Sequence, residues 1–130
     1  MQIGPVVSRA VLHVGLRDSL AEAARQMTAR KVGSAIVMTD EGPGIITERD
    51  ILRAVATGSD LETAPVEEYM THNAITAFED WDLREAAQRM AAGGFRHLIV
   101  LGSGGQVEGI LSMRDLMMAL LQESDQVVSK

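Results

Sequence analysis

The chain has 130 residues, 46% of them hydrophobic, with 12 Lys plus Arg against 18 Asp plus Glu for a net charge of -6, and no cysteine. That length suits one compact core or two small halves and is too short for a separate catalytic domain. The acidic balance argues against non-specific attraction to nucleic acid or anionic membranes, the 3% aromatic content leaves no stacking platform for single strands, and the lack of cysteine removes disulfide scaffolds, thiolate zinc sites and cysteine nucleophiles. The opening Met1-Gln2-Ile3-Gly4-Pro5 has no basic stretch leading into an apolar core, and no run approaches the roughly 18 apolar residues of a membrane helix. A cytoplasmic protein, off the membrane, is the expectation.

Residues 11–14 read as a leading strand. A helix follows, because Leu20, Ala23, Ala24 and Met27 recur at i, i+3, i+4, i+7, with Ser19 and Glu22 as its N-terminal capping pair. Two short apolar runs, 35–38 and 44–46, flank a turn and read as paired strands. A second helix spans about 47–56. The stretch TGSDLETAP (57–65) is rich in turn residues and reads as a linker, and 66–70 as a short helical turn.

The order then repeats. LAEAARQMTA, from Leu20, lies over LREAAQRMAA, from Leu83, with six of ten positions identical at an offset of 63. GIITERDIL, from Gly44, lies over GILSMRDLM, from Gly109, at an offset of 65. The two additional residues fall in Gly102-Ser103-Gly104-Gly105, where a turn tolerates insertion. A leading strand (74–78), a helix capped by Asp82 and Glu85, strands at 98–101 and 107–111 and a helix from 112 to about 122 complete the second copy. The fold class is α/β (α+β): strand, helix, strand, strand, helix, twice, as a duplicated domain with a pseudo-two-fold axis, since two copies are too few for a solenoid. The boundaries are 7–57 and 66–122 for the copies, 58–65 for the linker and 123–130 for a polar, frayed tail.

Gly-apolar-apolar-Thr/Ser-x-Arg-Asp occurs in both copies, as Gly44 to Asp50 and Gly109 to Asp115, each at a strand-to-helix junction. Two readings stand side by side. Thr47 or Ser112, three residues before an Asp, is a helix cap with a carboxylate favoured by the macrodipole. The same geometry makes a nucleotide site: a cap hydroxyl, free N–H groups and Arg49 or Arg114 for phosphate, Asp50 or Asp115 accepting from both ribose hydroxyls, and the glycine for close approach of the ligand. Capping alone does not account for the Arg and Gly in both copies.

These residues resemble a tandem pair of CBS domains, a Bateman module. Gly-Ile-Ile-Thr-Glu-Arg-Asp, Gly94-Phe95-Arg96-His97-Leu98-Ile99-Val100 and the interdomain-like Val66-Glu67-Glu68-Tyr69-Met70-Thr71 carry the resemblance, which covers roughly 7–121. It implies two clefts between the repeats that take AMP, ADP or ATP, or S-adenosylmethionine as in some members. Asp50 and Asp115 would then hold ribose, Thr47 and Ser112 the phosphate or ribose side, and Arg49 and Arg114 the phosphate. Arg96 and His97 match a place where the family often reaches phosphate, whereas Gly33 and Ser34 replace them in the first copy, so the two clefts should differ in affinity. His97 also fits a half-buried strand residue bonded to backbone. Ile45, Ile110, Val14 and Ile75 match the adenine-contacting positions.

His13, His72 and His97 lack metal-site spacing, and no nucleophile elbow is visible, so neither a metal nor catalysis is expected. Leu116-Met117-Met118-Ala119-Leu120-Leu121 is apolar on every face of its helix, which demands burial on more than one side, within the chain or against a partner. The resemblance implies homodimerisation through these second helices. The expected function is an adenine-nucleotide sensor that signals energy state to an effector protein; the alternative is a ligand-free dimerisation or scaffolding module.

Overall fold

A computed structural model describes residues 1–128, with the backbone alone for 124–128. The elements are α1 (Leu20–Arg30), β1 (Ser34–Thr39), β2 (Gly42–Thr47), α2 (Glu48–Ala56), β3 (Thr76–Phe78), α3 (Leu83–Gly93), β4 (His97–Leu101), β5 (Val107–Ser112) and α4 (Met113–Val128), with single 3-10 turns at Gly4–Val6 and Val66–Glu68. The fold class is mixed α/β, as the duplicated pattern predicts. α4 runs six residues past the helix end expected at 122, because 123–128 contain no glycine or proline to stop it. The expected tail therefore begins as helix, and its last two residues lie outside the described ones.

The chain folds as two compact units. One is residues 11–74; the other joins residues 1–10 to the described residues from 75 onward. In the first, β1 and β2 form an antiparallel hairpin in which Ser34 faces Thr47 and Ile36 faces Ile45. In the second, β4 and β5 pair likewise, His97 facing Ser112 and Ile99 facing Ile110, and β3 adds parallel to β4. The inserted residues lengthen the β4–β5 turn and shift the register between Val100 and Leu101, while Thr39 closes the short first turn by accepting from the Glu41 amide at 3.1 Å.

The leading segments differ from expectation. Residues 74–78 yield a strand at Thr76–Phe78, but 11–14 make only one bridge, through Val14 N–H to Ile36 O (3.0 Å) and Ile36 N–H to Leu12 O (2.8 Å). Gly15 ends that ladder. Its N–H donates to the Asp18 carboxylate at 2.7 Å, turning the chain away where Phe78 keeps the second copy extended.

Each helix packs an apolar stripe onto its own sheet. Leu20, Ala23 and Met27 of α1 meet Ala35, Val37 and Ile46; Leu83, Ala86 and Met90 of α3 meet Leu98, Val100 and Leu111. Full burial of each such large side chain contributes about 1.5–3 kcal/mol. Strand alternation turns Ile36, Ile45, Ile99 and Ile110 to the other face of each hairpin, where they too are buried. Ser19 Oγ caps α1 from the Glu22 amide (3.1 Å), and the Asp82 carboxylate caps α3 from the Arg84 and Glu85 amides. Trp81 is partly buried on the second core, with the Arg89 guanidinium 4.5 Å from its ring centroid.

The sequence copies and the compact units do not share boundaries. Val66–Glu68 and the residues after it lead the second copy in sequence but fold with the first: Val66 N–H reaches Asp18 O (2.8 Å), and Thr71 and Ile45 exchange backbone bonds of 2.9 and 3.0 Å. The opening residues do the converse. Ile3 N–H reaches Trp81 O (2.9 Å), and Ser8 and Ile110 exchange bonds of 2.9 and 3.0 Å. Ile3, Val7 and Ser8 are thus the structural counterparts of Val66, Met70 and Thr71. The linker residues 57–65 are bonded into the first unit, where Ala64 O and Leu61 O accept from the Leu20 and Ala21 amides at 2.9 Å each.

α1 and α3 both end on a left-handed residue, Lys31 (φ 58°) and Gly94 (φ 70°). A lysine there carries about 1–2 kcal/mol of backbone strain that glycine avoids, against about 0.4–1 kcal/mol of additional unfolded-state entropy for the glycine. Lys31→Gly is therefore expected to raise the unfolding free energy by about 0.5–1 kcal/mol in urea titration, and Gly94→Ala to lower it.

Candidate functional site

Both motif copies stand where a hairpin strand runs into a helix. In the first, Thr47 is the cap of α2 in an extended conformation, and it forms a closed capping box with Asp50. One Asp50 carboxylate oxygen accepts from the Thr47 amide (2.9 Å) and hydroxyl (3.1 Å), and the other accepts from the Arg53 guanidinium at 2.7 Å. Arg53 also donates to the Tyr69 carbonyl at 3.3 Å. Asp50 is buried at 7% exposure, and both of its carboxylate oxygens accept from its own chain.

The second junction is built alike and bonded differently. Ser112 Oγ accepts from the Asp115 amide at 3.1 Å, which satisfies the cap. The return bond is missing: Asp115 is half-buried, and among the described residues nothing donates to its carboxylate. The position matching Arg53 is Met118, whose thioether cannot donate.

The neighbouring strand starts also diverge. Gly33 O accepts from the Glu48 amide (3.0 Å) and Arg96 O from the Met113 amide (2.8 Å), so residues 33 and 96 each abut the first residue of the following helix. In the first copy this places the Glu48 carboxylate against Gly33, about 3.3 Å from where a Cβ would stand. In the second, exposed Arg96 is beside Met113 and Arg114, and half-buried His97 faces Ser112 across the hairpin. Taking Gly33, Ser34, Glu48, Arg49, Asp50 and Arg53 against Arg96, His97, Met113, Arg114, Asp115 and Met118, the first junction pairs two acidic with two basic groups, whereas the second sets two arginines and a histidine against one carboxylate. The second junction therefore carries the larger basic excess.

The remaining positions separate. Ile45 and Ile110, each at 7% exposure, stand two residues before the ends of their strands at Thr47 and Ser112, on the sheet face away from the helix. Val14 belongs to the first core, packed with Leu12 and Leu20, and Ile75 is 47% exposed. The motif glycines serve the protein's own backbone, a correction to their reading as openings for a ligand. A Cβ on Gly109 would lie 2.3 Å from Ser8 O, and one on Gly44 2.6 Å from Thr71 O. Of the histidines, His72 Nε2 is bonded to Glu67 O at 2.8 Å, and among the described residues no cluster of His, Cys, Asp and Glu could hold a metal ion. No helix among them is long and apolar enough to cross a membrane.

The CBS-domain family model matches residues 3–57 and again 66–122. The chain belongs to the CBS-domain family. Its two CBS repeats stand in tandem, as in a Bateman module. An uncharacterized 17.7 kDa protein of Acidianus ambivalens is 38% identical over 92% of this chain and 73% of its own length. The match to a Methanopyrus kandleri protein takes in 61% of that protein, and the match to an Arabidopsis CBS domain-containing protein, at 35% identity, 21%. Among solved structures, a CBS domain protein from Pyrobaculum aerophilum complexed with AMP has a TM-score of 0.82 at 29% identity, covering 95% of this chain and 97% of that one. An uncharacterized conserved protein from Pyrococcus horikoshii has a TM-score of 0.81 at 33% identity, over 91% and 90%.

Two features of these CBS repeats escaped the sequence reading. Arg53 was legible in principle, since Asp and Arg three apart on a helix are neighbours. The pairing of the opening residues with β5 was not, because Ile3-Gly4-Pro5-Val6-Val7-Ser8 and Val66-Glu67-Glu68-Tyr69-Met70-Thr71 share no identical residue.

Proposed function

We propose that this chain is a regulatory, non-catalytic module of the cytoplasm that binds an adenine nucleotide, AMP, ADP or ATP, at the junction of β5 and α4. The observation that carries the reading is the AMP complex of the Pyrobaculum relative, whose fold matches this chain over 95% of its length. Asp115 accepts from the two ribose hydroxyls, Ser112 and the first-turn amides of α4 meet the ribose or phosphate side, Arg114 and Arg96 supply positive charge to phosphate, and His97 is the further phosphate-side residue. Ile110 offers the apolar contact for adenine.

Two copies associate through the second helices. Leu52 and Val55 of α2 are 67% and 54% exposed, and Met117 and Leu121, four apart on α4, are 49% and 57% exposed; such apolar surface is characteristic of a partner-binding face. Among its described side chains α4 buries Leu116 and Ala119 and leaves Met117, Met118 and Leu121 exposed, short of the burial its composition demands. An effector protein reads the signal, which arises only if nucleotide binds two conformations with unequal affinity.

Calorimetric titration of the purified protein with AMP, ADP, ATP and S-adenosylmethionine tests the reading, with sedimentation analysis for the dimer. Micromolar binding of an adenine nucleotide is the expected result. Silence with all four ligands overturns it in favour of the scaffolding module, which the exposed helix faces support without any ligand.

A further inference from the structure

We infer that Arg53 is an internal plug that occupies the first repeat's carboxylate, so that the module takes its nucleotide at the second repeat alone. The inference rests on the nucleotide reading above and adds a residue that decides which of two equivalent junctions is open. A ribose binds a carboxylate by donating two hydroxyl hydrogens to it, and oxygens that already accept from the protein's own donors offer it a smaller net gain. At Asp50 one oxygen accepts from the Thr47 amide and hydroxyl, and the other from the Arg53 guanidinium at 2.7 Å, a charge-assisted bond with which a ribose hydroxyl has to compete. The same guanidinium nitrogen also donates to the Tyr69 carbonyl, at 3.3 Å, a second contact that keeps it beside the carboxylate.

The second repeat has neither device. Asp115 meets no donor among the described residues, and Met118 takes the place of Arg53 one turn further along the helix. The strand starts reinforce the contrast, for Glu48 beside Gly33 repels the phosphate that Arg96 beside Met113 attracts. One residue on each helix therefore sets the difference. Both are on the surface, Met118 at 53% residue exposure and Arg53 at 61% side-chain exposure, so exchanging them leaves the cores intact.

The test is calorimetry with AMP on the full chain and on the exchanges Arg53→Met and Met118→Arg, with circular dichroism melting and sedimentation to confirm fold and assembly. The wild type is expected to take one AMP per chain. Arg53→Met should take two, the new site lost again in Arg53→Met with Asp50→Ala, and Met118→Arg should weaken the original site by about tenfold or more. Two AMP per wild-type chain, or one per Arg53→Met chain with the fold intact, overturns the plug while the nucleotide reading stands. No binding in any variant overturns both.

Discussion

Gly109→Ala is expected to lower the unfolding free energy by about 2–3 kcal/mol, a large effect for a single methyl group on a strand. Gly109 has no positive φ, so backbone strain is not the cause. The added carbon would stand 2.3 Å from the Ser8 carbonyl oxygen and 2.4 Å from Val7 Cγ1. The first neighbour is backbone and cannot step aside, so the opening segment must lift from β5. With it go the reciprocal Ser8–Ile110 bonds at 2.9 and 3.0 Å, each contributing about 0.5–1.5 kcal/mol, and part of the burial of Ile3 and Val7. Gly104→Ala is the control, since its Cβ would meet only the movable tip of Gln106. Urea titration gives the magnitude, and hydrogen exchange at the Ser8 amide gives the mechanism. A Gly109→Ala protein as stable as the wild type, with Ser8 still protected, would sink the argument.

The two motif aspartates should respond oppositely to removal. Asp115→Ala is expected to weaken nucleotide binding by about 10- to 150-fold, the equivalent of the 1.5–3 kcal/mol of hydrogen bonds to a charged group, with little change in stability. Its amide keeps the Ser112 cap, and no donor inside the described protein loses a partner. Asp50→Ala should do the reverse. It leaves the Thr47 amide without its acceptor, opens the capping box and frees Arg53, at a cost of about 2 kcal/mol in stability, while binding persists. Equal loss of affinity in both variants would contradict the assignment of the ligand to the second repeat.

Much of this architecture is readable from residue spacing. The apolar stripes of α1 and α3, their caps and the hairpin strands all follow from local chemistry, and duplication gives each element a second witness. The motif's place at a strand-to-helix junction follows too. What escapes is whatever depends on a side chain's orientation or on a distant partner. Thr47 and Ser112 carry the same hydroxyl, yet only one junction closes its box. That difference lies in which way the Asp50 and Asp115 side chains turn, which residue type and spacing leave open. The role of Gly44 and Gly109 was misread for the same reason: a glycine signals that something comes close, not what comes. The short bridge at residues 11–14 was misread because the apolar pattern there is strand-like, while Gly15 and Asp18 cut the ladder short by one side-chain bond.

The exchanged opening segments also set an order in time. Residues 11–74 form an uninterrupted stretch, so the first unit has every strand and helix it needs once that stretch has been synthesised. The other unit closes only when residues 1–10 meet β5, as in the contact of Arg9 with Glu108, 99 positions apart. During synthesis the opening residues emerge long before their partner β5, and the long loop they close leads to the expectation that their docking is a late step of folding.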